Sequence, residues 1–96
     1  MAAYMIFEQE EWDSSWRKEY GPPTRALLEK YGGKVIAVSR EGERFEGEAK
    51  VPDVIVLIEF PDTDAAKAWH SDPEYQPLIK LRETGAKAEA LLFDGV

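Results

Sequence analysis

Between Asp53 and Glu59 the chain reads Val-Ile-Val-Leu-Ile, five aliphatic residues with no polar side chain among them. A strand with one face in water alternates apolar and polar positions, because successive side chains point to opposite sides of the sheet. Val54 to Ile58 does not alternate, so both of its faces need cover. Leu91-Leu92-Phe93 and Tyr4-Met5-Ile6-Phe7 behave likewise. Four strands at ~4.8 Å spacing make a sheet roughly 19 Å wide, and two helices at ~10 Å each cover one face of it. A chain of 96 residues has nothing left for the other face. The expectation is a symmetric homodimer, sheet against sheet, with edge-to-edge association or a partly open sheet as the alternative. Val54, Val56 and Ile58 lie on one face and Ile55 and Leu57 on the other. The pattern alone does not say which set meets the partner.

The rest of the chain supplies the elements around that strand. Tyr4 to Phe7 reads as a first strand running into Glu8-Gln9-Glu10-Glu11. Asp13 is placed to cap a helix. Trp16, Tyr20, Pro23, Leu27 and Tyr31 then recur at helical spacing on one stripe. Gly21-Pro22-Pro23 predicts a break, because proline lacks the backbone donor and disfavours helical angles in the residue before it. Two helical pieces sharing a face are expected, with Gly32-Gly33 as the C-terminal stop. Lys34 to Val38 is a second strand, and Ser39 to Glu43 a polar turn. Phe45 to Ala49 is expected to pair across that turn as a short strand, weakened by Gly47. Pro52-Asp53 opens the strand Val54 to Phe60, and Pro61 closes it. Asp62 caps a helix bearing Ala65, Ala66 and Trp69. A helical restart follows, either with Asp72 as cap and Pro73 in the first turn or through a Ser71–Glu74 capping box. Leu78 and Leu81 point inward, Gly85 ends the helix, and Ala88 to Phe93 is the last strand.

Each half therefore runs strand, capping aspartate, helix restarted at proline, glycine stop, lysine, strand. The order strand, helix, strand, strand, helix, strand is the split βαβ arrangement. The fold class expected is α+β, a ferredoxin-like βαββαβ sandwich with helices on one face of an antiparallel sheet, in a single domain over residues 1–96. A formal charge of −7 makes nucleic acid and anionic membranes poor partners. The absence of cysteine excludes disulfides and thiolate chemistry and suits a reducing cytoplasm. The start of the chain lacks the basic and long apolar regions of a signal peptide, and no apolar run reaches membrane-spanning length, so a soluble, unprocessed cytoplasmic protein is expected.

The stretch VIVLIEFPDTDAAKAWHSDPEYQPL, with YGGKVIAV, the FEG at Phe45 to Gly47 and the closing Asp94-Gly95-Val96, resembles the family called domain of unknown function 1330. The family pattern of a strand ending Glu-Phe-Pro, an alanine-rich helix with an aromatic pair, Ser-Pro-Glu-Tyr-Gln and a later arginine falls on Glu59-Phe60-Pro61, Ala65 to His70, Ser71 to Gln76 and Arg82. Two departures stand out: Asp72 is inserted between Ser71 and Pro73, and His70 occupies a position where the family more often has tyrosine or phenylalanine. The resemblance implies the dimeric α+β barrel superfamily, in which two ferredoxin-like sheets face each other. That superfamily includes cofactor-free monooxygenases, isomerases and haem enzymes.

Two residues are candidates for catalysis. Glu59 ends a wholly apolar strand on the face of Ile55 and Leu57, where partial desolvation suits a carboxylate to acid or base work. Its structural alternative is a strand-end ion pair with Arg82 or a lysine. His70, the single histidine, is a possible base near neutral pH, oriented by Glu59, Glu74 or Asp72. Its alternative is a partly exposed neighbour of Trp69. Trp16, Tyr20, Trp69, Tyr75 and Arg82 are the candidate ligand-binding residues: the aromatics would line an apolar pocket and exclude water, and Tyr75 and Arg82 would stabilise negative charge. Each has a plain reading as core aromatic or surface cation. No metal site is expected, since one histidine with scattered carboxylates matches no ligand spacing. Without GxGxxG, P-loop, GxSxG or HExxH motifs, no cofactor is expected either. The function expected is binding or cofactor-independent transformation (monooxygenase- or isomerase-like) of a small apolar organic molecule, with a non-catalytic ligand-binding or structural dimer as the alternative.

Overall fold

β1 (Ala3–Glu11), α1 (Arg17–Lys30), β2 (Lys34–Ser39), β3 (Val54–Phe60), α2 (Thr63–Ser71), α3 (Gln76–Glu83) and β4 (Ala86–Asp94) follow one another in the computed structural model, which describes residues 1–96. The strands form one antiparallel sheet in the order β2-β3-β1-β4. All three helices pack on the same face of it, giving the ferredoxin-like βαββαβ arrangement that the sequence predicts.

Strand register assigns every side chain to a face. Ala3, Met5, Phe7 and Gln9 of β1 stand opposite Phe60, Ile58, Val56 and Val54 of β3 and point toward the helices. There they meet Leu27 and Leu28 of α1, Ala66 and Trp69 of α2, and Tyr75 at the start of α3, which together form the core. The other face carries Tyr4, Ile6 and Glu8 of β1, Ile55, Leu57 and Glu59 of β3, and Glu89, Leu91 and Phe93 of β4. No helix covers it: the loop at Gly42 approaches Ile55 and Gly95 approaches Tyr4, and Leu91 and Phe93 are 65% and 43% exposed. The structure thus decides between the two sets of β3 residues: Ile55 and Leu57 face outward.

Several local expectations are corrected. First, α1 runs unbroken through Pro22 and Pro23. The carbonyls that lose their donors are those of Lys18 and Glu19, and these residues, like both prolines, are exposed, so water replaces the missing bonds. Asp13 does not cap α1. Its Oδ1 accepts the Ser15 amide at 2.9 Å in a turn before the helix, and the cap position is Trp16 with no side-chain bond. Second, Phe45 to Ala49 forms no strand. Arg44 closes that loop instead, donating to the carbonyls of Ala49 at 3.1 Å and Lys50 at 3.3 Å, and Phe45 is 92% exposed. Third, the restart falls later than Asp72-Pro73. The helix α3 begins at Gln76 with Pro77 in its first turn, and Asp72 closes a turn onto the Glu74 amide at 2.8 Å. The Asp62 cap on α2 forms as expected, accepting the Ala65 amide at 2.8 Å.

Two glycines are required by geometry. Gly32, at φ +73°, takes the left-handed turn that ends α1. Gly85 ends α3 and presents its carbonyl to the amides of Trp12 and Asp13; a side chain there would collide with the Asp13 backbone.

Candidate functional site

α1 packs over β2, while α2 lies over β1, β3 and β4 and α3 over β4. A cavity of about 290 Å³ lies between α1 and the sheet. Its sheet wall includes Phe7, Val35, Val38, Val56 and Ile58, and its helix wall Trp16, Tyr20, Thr24 and Leu28. Gln9 reaches it from β1 and Arg17 and Arg25 from α1; no aspartate or glutamate lines it. That is notable in a chain with 19 acidic residues against 12 basic ones. A smaller cleft of about 190 Å³ beside residues 40–53 is lined chiefly by charged side chains such as Glu8, Glu10, Arg44 and Lys50 and lacks such apolar walls.

Behind the cavity stands a polar cluster. Tyr20 Oη and Tyr75 Oη lie 2.6 Å apart, and Arg82 Nη1 donates to Tyr75 Oη at 3.1 Å and to Tyr20 Oη at 3.4 Å. Arg82 is only 6% exposed, and its guanidinium sits 5.5 Å from the centre of the Phe7 ring. It belongs to none of the ion pairs of the molecule. Its Nε is buried without a partner, as are Trp16 Nε1 and Thr24 Oγ1. A buried cation with no carboxylate beside it is rare, because desolvation is repaid by nothing but neutral hydroxyls and a ring face. Arg17 differs: Glu11 takes its Nε at 2.7 Å, Gln9 Oε1 accepts from its Nη2 at 3.1 Å, and Arg40 holds the other oxygen of Glu11 at 2.9 Å.

The candidates named from sequence fall in four places. Trp16, Tyr20, Tyr75 and Arg82 are brought together in or directly behind the cavity. Trp69 is not with them: it is fully buried in the core, ringed by Phe60, Phe7 and Tyr75 at 5.6, 6.2 and 4.3 Å between centroids. Glu59 lies on the open face, with Lys34 Nζ at 3.5 Å, so the lysine pair forms and the Arg82 pair does not. His70 is exposed at the end of α2, its ring edge-on to Trp69 and Tyr75. Desolvation, and then the nearby Arg82 cation, hold its pKa below the ordinary 6.5. No carboxylate orients it, because Asp72 is engaged elsewhere: it accepts from Tyr31 Oη at 2.5 Å, Lys30 Nζ at 3.3 Å and the Glu74 amide.

Asp72 is therefore a clasp between α1 and the α2–α3 junction. The Tyr31 hydroxyl, then the Glu74 amide and Lys30, hold its pKa below the usual 3.8. A lowered folded-state pKa gives stability that is present above pH 3.8 and lost as the pH falls through the folded value. Urea melts between neutrality and about pH 3 should show wild type losing stability in acid more steeply than Asp72→Asn, which begins lower and stays flatter. Parallel profiles would remove Asp72 from that role.

Sequence reasoning missed Gln9, Thr24 and the valines of β2. Gln9 was legible as a polar residue at an inward position of β1, after Ala3, Met5 and Phe7. Thr24 was hidden by the predicted break at Pro22-Pro23, which shifted the stripe to Pro23; in an unbroken helix, Trp16, Tyr20, Thr24 and Leu28 recur every four residues. No three histidine, aspartate or glutamate side chains group as metal ligands, and no helix is long and apolar enough to cross a membrane.

A family model described as "Domain of unknown function (DUF1330)" matches residues 2–96. No curated protein sequence matches the chain. Among solved structures, a protein of unknown function from Rhodopseudomonas palustris superposes with TM-score 0.77 at 17% identity, over 99% of this chain and 82% of that one. The cofactor-independent oxygenase SnoaB of Streptomyces nogalater gives 0.70 at 14% identity, over 99% and 93%. A protein of unknown function from Bacteroides fragilis, described as dimeric with a ferredoxin-like fold, gives 0.65 at 14% identity, over 98% and 96%. At such identities the likeness is one of fold.

Proposed function

The chain belongs to the DUF1330 family, whose description assigns no activity, and we propose that it is a homodimer whose cavity between α1 and the sheet binds a small, largely apolar organic molecule. The observation that carries the reading is the cavity itself: about 290 Å³, walled by apolar side chains, with a few polar groups at one end. Val35 and Val38 at its edge are 42% and 60% exposed, a cost in water that a ligand would remove.

The dimer follows from the open face. Strands of six to nine residues at ~3.3 Å per residue, four abreast at ~4.8 Å, present on the order of 500 Å² per copy, so two copies facing each other approach the ~1,000 Å² of a specific interface. Tyr4, Ile6, Leu57, Leu91 and Phe93 would form its apolar centre. Glu59 belongs to that interface rather than to the ligand, and His70 lies outside the cavity. A structural neighbour described as dimeric supports the assembly. A catalytic version of this reading, proton transfer or oxygenation without a nucleotide cofactor, would use the same cavity; the fold is shared with a cofactor-independent oxygenase. The absence of cysteine suits a cytoplasmic setting.

An amide chemical-shift titration with neutral probes, benzyl alcohol and indole, tests the site. Saturable shifts should cluster at Phe7, Leu28, Val35 and Val56 with affinities on the order of millimolar, as expected for small fragments. Val38→Trp, placed at the exposed rim where it strains no core packing, should abolish them. Shifts that are absent in wild type, or unchanged in Val38→Trp, would remove the cavity from the account.

A further inference from the structure

The hydroxyls behind the cavity form a one-way chain of donors. Arg82 has no acceptor atom, so its Nη1 can only donate, and it does so to Tyr75 Oη at 3.1 Å and Tyr20 Oη at 3.4 Å. Tyr75 is fully buried, and the one remaining neighbour of its hydroxyl is Tyr20 Oη at 2.6 Å. The Tyr75 proton therefore goes to Tyr20; in any other direction it would be a buried donor without an acceptor. Burial, reinforced by Tyr20, pushes the Tyr75 hydroxyl well above the ordinary phenol range, so that proton stays in place. Tyr20 then accepts from both groups and keeps its own proton free, and Tyr20 is a wall of the cavity. Trp16 Nε1 and Thr24 Oγ1, in the same wall, are buried without partners. The acceptor side is nearly empty: Gln9 Oε1 is taken by Arg17, and no carboxylate lines the space.

Surplus donors, a buried cation without a counterion and an apolar body space call for one kind of occupant. We propose that the cavity selects a small organic carboxylate, its oxygen seated on the free Tyr20 hydroxyl and its apolar body against Phe7, Val35, Val56 and Leu28. The Arg82 charge is transmitted through Tyr75 and Tyr20, and the anion would supply the counter-charge that the fold withholds. The space corresponds to roughly ten water volumes, enough for one ring bearing a carboxylate. This inference rests on the cavity reading above and adds the charge of the ligand to it.

The probes are benzoate and benzamide, which share a shape and differ in charge, titrated at neutral pH and followed by amide shifts. Wild type should bind benzoate about tenfold or more tightly than benzamide, the span of one charge-assisted hydrogen bond. Tyr20→Phe should erase that preference and leave benzamide within about twofold. Arg82→Met should do the same while keeping or raising the melting temperature, because no carboxylate is left without its partner. If Arg82→Met does not fold, Tyr20→Phe decides alone. Benzamide binding as well as benzoate, or a benzoate preference that survives Tyr20→Phe, would overturn the anion and leave the cavity standing. Neither probe moving the cavity amides would take down both.

Discussion

Leu57→Arg should give a folded monomer, and Ile58→Arg, one residue further along the same strand, should give no folded protein. Leu57 points to the open face, opposite Ile6 of β1 and Ala37 of β2. An arginine there is hydrated in a single copy and becomes an unpaired charge when two sheets close on each other, which an interface of ordinary strength does not tolerate. Ile58 is 4% exposed in the core, opposite Met5. A guanidinium forced there without a partner costs several kcal/mol, on a total stability of ~5–15 kcal/mol for a domain of this size. Sedimentation and circular dichroism read both outcomes. Wild type should sediment as two chains at micromolar concentration, Leu57→Arg as one chain with the wild-type spectrum, and Ile58→Arg should lose the spectrum. A wild type that stays monomeric, or a Leu57→Arg protein that stays dimeric, would sink the sheet-to-sheet pairing.

Trp69→Ala should be the most damaging truncation of a single aromatic residue. The indole is fully buried and packs against Phe7, Phe60 and Tyr75 at once, so its removal leaves a void beneath α2 that these neighbours can fill only by leaving their own rotamers. Truncations of this kind cost about 3–5 kcal/mol. At ~4–8 °C per kcal/mol in a domain of this length, the melting temperature should fall by roughly 12–40 °C. Trp12→Ala is the control: Trp12 is 64% exposed, and its loss should stay within about 0.5 kcal/mol. The same pair of measurements separates two roles for Trp69. A ligand-contacting tryptophan would spare the apo protein when truncated; a core tryptophan takes the fold with it.

Trp69 also shows why half of the candidate site was legible and half was not. Helical spacing put Trp16 and Tyr20 on one stripe, and the fold carried that stripe to the cavity. The same kind of pattern cannot tell an aromatic that lines a space from one that fills it, since both are inward and apolar. For Glu59 the alternation was right about its face, shared with Ile55 and Leu57, but the cavity formed on the other side of the sheet. The pairing of Tyr20 with Tyr75 joins residues 55 positions apart, and no local pattern encodes such a contact.

By itself the sequence determined the order of strands and helices, the Asp62 cap and the glycine stops, and the need of Val54 to Ile58 for cover on both sides. These follow from dihedral preference and side-chain periodicity, which act within a few residues. Local rules failed where water or a side chain took over from backbone pairing: exposed carbonyls let α1 pass through Pro22 and Pro23, and Arg44 closed as a loop the segment expected to be a strand. Only the tertiary structure decided which face stays open, that a cavity lies between α1 and the sheet, and that Arg82 is buried beside two hydroxyls with no acid in reach. Each of these depends on how closely packed elements approach one another and on which distant residues come within 3–4 Å, and those quantities exist only after the chain has folded.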